Sequence, residues 1–329
     1  MSRRNALEKR EPNEAAMIAE MTDILRRKME RDYAKGDTRR DAHPKTLGLL
    51  RASFRIEPNL PAELRVGLFA KEKTYDCWVR LSNASGKIQS DAVKDARGLA
   101  IKLMAPRGRG TIADAALGQD FVLMNSPVMP LGTVALFRDA VFYAIESSPL
   151  LLAGKLLLSG NLGVMLGLLA LRSKPTSPLD IQYWSTTPYL FGKGQAVKYS
   201  LLPSSRHRSK ELAEQGENYL RDAMQAHLSR HAASFDFCVQ MRAEGMPIED
   251  AAVRWDEAQS PFIKVASVLI PKQKFIDAKR TALSESLSFS PGHAMPEHVP
   301  LGGLNRARVA IYKALSEFRH KRDLREDMA

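Results

Sequence analysis

The chain has 329 residues, 44% of them hydrophobic and 26% charged, a composition that excludes disordered and fibrous classes and allows one large or two modest domains. Its formal net charge of +12 suits any anionic partner, because a positive field concentrates nucleic acid, phosphate or carboxylate alike. Much of the excess sits in charged segments near the two ends, without the interleaved aromatics of a single-strand binder, so nucleic-acid binding is not expected.

The N-terminal run MSRRNALEKREPNEAAM lacks an apolar core, so no signal peptide is expected and a cytoplasmic, reducing setting is the default. Residues 12 to 35 space Ala16, Ile18, Ala19, Met21, Ile24 and Leu25 as an amphipathic helix. Residues 1 to 37 are therefore read as a helical arm, a candidate surface for a homodimer, ahead of one domain over 38 to 329.

Strand-like runs follow at 47 to 56, 75 to 82, 98 to 104 and 119 to 125, among turn-rich stretches. A helical middle spans about 133 to 171. Its segment PLLLAGKLLLSGNLGVMLGLLAL, 149 to 171, is long enough for about 30 Å of hydrocarbon but is interrupted by Lys155 and Ser159-Gly160-Asn161. It reads as two short apolar helices broken near Gly160, which either pack on a core or make peripheral membrane contact. Strands return at 195 to 203, 235 to 243 and 261 to 271, with a helix around 208 to 232 before the second of these. Seven or eight strands in two groups, with helices between, predict one antiparallel barrel, an α+β class. Cys77 and Cys238 lie inside strand-like runs and are read as buried thiols, with a disulfide left open.

The last helix carries RARVAIYKALSEFRH, 306 to 320. Arg308 and Arg319 fall on the same face as Tyr312. Such a tyrosine is ordinarily a helix anchor; beside Arg308 it is also placed for a stabilised phenolate, an oxygen ligand for iron. His43 in RRDAHPKTLGLL, the neighbouring Arg40, and Arg80 inside the strand YDCWVRLS are further candidates, since an arginine buried in an apolar strand needs an anionic partner. HLSRH at 227 to 231 lacks the glutamate of a zinc-protease helix and reads as a solvated face. His293 and His298 read as part of a turn packed over the barrel. No P-loop or GxSxG is present.

In their order, these pieces resemble the haem catalase superfamily in its short, bacterial, catalase-related peroxidase branch. VRLSNASGKIQSDAVKDARGLAIKLM is similar to the second and third barrel strands, with an Asp-x-Arg-Gly turn at Asp95-Ala96-Arg97-Gly98. QDFVLMNSPV resembles the distal strand, and LSFSPGHAMPEHVPLGGLNRARVAIY the approach to the proximal helix. The resemblance runs from about residue 38 to 320 and implies an eight-stranded antiparallel β-barrel of catalase type with surrounding helices, lacking the large C-terminal extension.

It further implies haem b as cofactor, with Tyr312 as iron ligand, Arg308 as its charge partner, His43 and Asn125 as distal catalytic residues, and Ser82 orienting His43. Arg40, Arg80 and Arg319 would bind the propionates and Phe137 would pack on the distal side. Met124 stands where catalases carry the first of two distal asparagines, and Met129-Pro130 replaces an aromatic pair. These departures point away from hydrogen peroxide dismutation and toward an organic or lipid hydroperoxide substrate. Two other readings go with them: fatty-acid hydroperoxide rearrangement or dehydration of the allene oxide synthase kind, and a haem- or lipid-binding protein without turnover.

Overall fold

The computed structural model describes residues 7 to 104, 116 to 212 and 215 to 323. Nine strands form one antiparallel sheet: β1 (Thr46–Ile56), β2 (Thr74–Asn83), β3 (Arg97–Met104), β4 (Ala116–Met124), β5 (Tyr183–Trp184), β6 (Tyr189–Leu190), β7 (Ala196–Pro203), β8 (Ala233–Met241) and β9 (Phe262–Ile270). The order is β5-β4-β3-β2-β1-β9-β8-β7-β6, and an added β5–β7 pairing closes eight of them into a barrel. Closure depends on a strand of two residues, where Tyr183 pairs Leu201 and Trp184 pairs Ser200. So short a run has no readable alternation, so the strand-like runs of the sequence mark neither β5 nor β6.

The barrel interior is filled. Phe54, Phe121 and Phe237 meet with centroids 4.6 to 5.7 Å apart, and Val79, Leu81, Leu99, Ile101 and Leu123 point in among them. Because strand side chains alternate, Arg80, Ser82, Gly98 and Met124 must face outward from the barrel. Arg80 is nonetheless only 5% exposed, because helical segments cover that outer face.

Those segments are α1 (Glu14–Asp32), α2 (Val134–Ile145), α6 (Ala278–Ser286) and α7 (Gly303–Asp323); α3 (Pro149–Leu158), α4 (Leu162–Ala170) and α5 (Tyr219–Arg230) complete the helices among the described residues. The arm is not free-standing. Met21 and Leu25 of α1 pack with Val134 of α2 and with Ala307 and Ile311 of α7, so the apolar face proposed for a homodimer is occupied within the chain. Arg306 fastens the junction through Glu8, Glu14 and Glu249. Burial opposes its charge, but these carboxylates outweigh that and raise its pKa.

Three details differ from expectation. Helix α5 begins at Tyr219, not near 208. Helix α6, unanticipated, is capped by Asp277, whose Oδ1 accepts from the Arg280 amide at 2.7 Å. HLSRH is only partly a solvated face: Ser229, Arg230 and His231 are exposed, but His227 is 4% exposed, with Nδ1 2.9 Å from Ser209 Oγ. His298 lies in the core between Phe69 and Phe191, and His293 pairs with buried Asp120 at 2.9 Å. Both cysteines are free and buried, and burial pushes the Cys238 thiol up to about 12.

Candidate active site

The register of β1 to β5 aligns one transverse row on the outer face. Thr46 pairs Ser82, Ser82 pairs Gly98, Gly98 pairs Met124 and Met124 pairs Trp184. A bulge between Thr46 and Gly48 of β1 shifts the strand's alternation at this row. His43 lies over the row, held by its Nδ1 2.9 Å from Ser82 Oγ. A Cβ at position 98 would come within 2.6 Å of His43 Cε1, 2.7 Å of Nδ1 and 3.0 Å of Ser82 Oγ. Glycine at the end of the Asp-Ala-Arg-Gly turn is thus what admits the imidazole.

His43 adopts φ +58°, a left-handed conformation that L residues occupy at a cost and that tends to occur at functional sites. Its carbonyl accepts from Arg80 Nη2 at 2.7 Å. Burial, followed by the charges of Arg80, Arg308 and Arg40, lowers its pKa to about 3, so the ring is neutral at pH 7. With the ring proton on Nδ1 shared with Ser82, Nε2 is the basic nitrogen.

Beside His43, three guanidiniums converge. Arg40 pairs with Glu285 Oε2 at 3.0 Å and donates to the carbonyls of Ser284 and Leu287 at 2.7 and 2.6 Å. Arg319, from α7, donates to the Glu285 and Leu287 carbonyls. Arg80 donates to Thr46 Oγ1 at 2.7 Å, while its Nε is buried without a hydrogen-bond partner. Glu285 is the carboxylate they share, and its Oε1 also accepts from Thr46 at 3.2 Å. The carboxylate of Asp323 also acts on Arg319, so three cations face two anions and the cluster keeps a net positive charge. Burial, with repulsion from Arg319 and only partial relief from Glu285, depresses Arg80 to about 10; burial and then Arg80 depress Arg40.

Tyr312 sits on α7 next to this cluster. The Arg308 guanidinium lies 5.7 Å from the centre of its ring and donates to Thr187 Oγ1 and Asn305 Oδ1, each at 3.0 Å. Burial disfavours the Arg308 charge, yet Tyr312 and Tyr189 outweigh it and raise the pKa. Phe137 of α2 packs with the α1–α7 cluster.

Asn125 is the first residue past β4. Its Oδ1 accepts from the Arg97 amide at 2.7 Å and its Nδ2 donates to Ser173 Oγ at 3.0 Å, which leaves its second N–H uncommitted by these two bonds. Met124 is the residue aligned with Gly98 and the histidine. Glu285, Thr46, Thr187 and Asn305 were missed from sequence. Asn305 alone carried a signal, seven residues before Tyr312 on the same helix face. An open pocket of about 460 Å³ lined by His207, His231 and neighbouring basic residues shares no residue with this cluster.

An antiparallel barrel with helices packed outside it and a basic site between the two defines the class of fold. The particular fold is that of catalases. The chain superposes on a fungal catalase with a TM-score of 0.69 at 18% identity, covering 89% of this chain and 61% of that one. Catalase A from Saccharomyces cerevisiae gives 0.69 at 17%, with 89% and 63% covered, and a bacterial catalase 0.66 at 16%, with 89% and 59%. The chain therefore spans about three-fifths of the length of these catalases. No family model and no curated protein matches the sequence.

Proposed function

We propose that the chain is a catalase-like b-type haem peroxidase that reduces organic hydroperoxides. The observation that carries the reading is the arginine triad: its net positive charge, and the orphaned Nε of Arg80, suit the propionates of a haem. The donor set fits the rest of the group. Tyr312 would hold the iron through its phenol oxygen, with Arg308 stabilising the phenolate, and Arg40, Arg80 and Arg319 would bind the propionates. Phe137 would pack on the distal side.

Bound there, haem would supply the redox chemistry that cleaves the O–O bond, with the two electrons drawn in the end from a reducing co-substrate or a second peroxide. The neutral imidazole of His43 would take the hydroperoxide proton at Nε2 and return it to the departing oxygen, as a general base and then acid. Ser82 fixes the ring for both transfers. Asn125 would brace the distal strand through Arg97 and Ser173. Met124 and Met129-Pro130 offer apolar surface where a small polar oxidant would want a hydrogen-bond donor, which supports an alkyl hydroperoxide over hydrogen peroxide.

The test is the absorption spectrum of the purified chain supplied with haem, for wild type and Tyr312→Phe, with peroxide turnover measured alongside. Wild type should bind haem, and the variant should lose the charge-transfer features of a phenolate ligand. No haem uptake by wild type refutes the functional reading; identical spectra refute the ligand. Consumption of a fatty-acid hydroperoxide without any reductant would instead identify the rearranging activity. Haem uptake with no turnover of any peroxide would identify a binding protein.

A further inference from the structure

Helices α3 and α4 form a hairpin around Ser159-Gly160-Asn161, with Asn161 N bonded to Leu156 O at 2.8 Å. Its apolar residues mostly do not enter the core. Leu150 is 81% exposed and Leu158, at the hairpin tip, 91%. On α4, Leu162, Leu166 and Leu169 recur at helical spacing and are each at least half exposed. Contiguous apolar exposure of this kind marks an interaction surface. Neither helix can cross a membrane, since ten residues span about 15 Å, and no helix among the described residues is long and apolar enough to do so.

Charge around the hairpin selects its occupant. Between Glu146 and Asp180 there is no carboxylate, whereas Arg172 and Lys174, both exposed, follow α4 directly. The acidic groups before the hairpin are spoken for: Asp139 binds Lys155 at 2.6 Å and Glu146 binds Arg27 at 3.2 Å. A second copy on this face would set Arg172 and Lys174, the latter 5.7 Å from the centre of the Tyr219 ring, against their own kind across a two-fold axis. An anionic headgroup layer would meet them with opposite charge, while the leucines entered the acyl boundary.

We propose that the α3–α4 hairpin docks the protein on the surface of a bilayer that contains anionic lipid, with Leu158 inserted at the tip and Arg172 and Lys174 on the headgroups. The hairpin is rigidly tied to the candidate site. Gly167 lies against Pro130, where a Cβ would come within 2.8 Å of the proline ring. Ser173, just past α4, holds the Asn125 amide and accepts from Arg97. Docking would therefore present the Met124 end of β4 toward the leaflet, but the docking itself needs no haem and stands apart from the functional reading.

Co-sedimentation of the full chain with vesicles tests this, using phosphatidylcholine alone and phosphatidylcholine with one-third phosphatidylglycerol. Wild type should pellet with the anionic vesicles and far less with the neutral ones. Leu158→Glu/Leu166→Glu should lower anionic-vesicle partitioning tenfold or more. Arg172→Gln/Lys174→Gln should lower it roughly thirtyfold at low salt, from the gain of each basic residue at an anionic surface. The substituted side chains are exposed, and an unchanged melting temperature will verify the fold; Leu150→Ser offers a milder second variant. Wild type that stays in the supernatant, or binds both vesicles equally, overturns the proposal. So does a dimer that dissociates in Leu158→Glu/Leu166→Glu without any vesicle binding, which would make this face a contact between copies.

Discussion

Replacing Glu285 with glutamine removes one negative charge from the centre of the arginine triad while keeping the shape and the acceptor for Thr46. In the unliganded chain the local balance goes from three cations against Glu285 and Asp323 to three cations against Asp323 alone. Breaking a fully buried ion pair costs roughly 3 to 5 kcal/mol. Arg40 and Glu285 retain 16% and 21% of their side-chain exposure, so solvent reduces this to about 2 to 3 kcal/mol. With two propionates present, the same substitution moves the cluster to neutrality instead of adding to an excess of positive charge, which is a smaller penalty. Glu285→Gln is therefore expected to destabilise the haem-free chain and yet bind haem more tightly, by about tenfold for each 1.4 kcal/mol of difference. Urea unfolding of the haem-free protein and haem titration of both forms measure the two quantities. A variant as stable as wild type that binds haem more weakly would refute the charge argument.

Gly98→Ala places a methyl group against His43 and Ser82, and forced overpacking of this kind costs about 1 to 3 kcal/mol; the melting temperature should fall and the His43 ring resonances should shift, whereas unchanged resonances would deny the contact. The folded pKa of His43 near 3 lies below its ordinary 6.5. For a depressed group the stabilisation is present above the unfolded pKa and is lost as pH falls from about 6.5 toward 3, a loss of at most roughly 4 to 5 kcal/mol. His43→Gln should flatten that limb of the stability–pH curve in the haem-free protein; an equally steep limb would assign it to other groups, the core His298, lowered to about 4 by burial, first among them.

What was legible in the sequence follows from which signals are local. Apolar, strand-like runs of seven or more residues marked β1 to β4 and β7 to β9. Arg80 was singled out as a charge in an apolar strand, and it is buried, but the carboxylate nearest the arginines was invisible. Glu285 lies on α6 among serines and small residues, and nothing in TALSESLSF marks one glutamate as paired with Arg40 and within the field of Arg80 and Arg319. Strand β5 and the packing of the arm on α2 and α7 are likewise products of tertiary closure.

The filled barrel explains why the site lies where it does. With Phe54, Phe121 and Phe237 in mutual contact inside, a ligand could be housed there only by removing the core that holds the sheet, and the polar side chains of His298 and Tyr199 lie packed against aromatic rings. The outer face of β1 to β5 is the remaining surface with fixed register, and there a glycine, a serine and a threonine make a shallow row on which a histidine can lie flat. Helices α6 and α7 then deliver Glu285, Arg308, Tyr312 and Arg319 from above. Rigid strands set His43 and Arg80, and helices set the phenol and the remaining charges, so the two halves of the site are fixed by independent elements. If the chain turns over peroxides as proposed, substitutions confined to the Met124 row should change which peroxide a turnover assay shows it to consume while leaving the Tyr312 side intact.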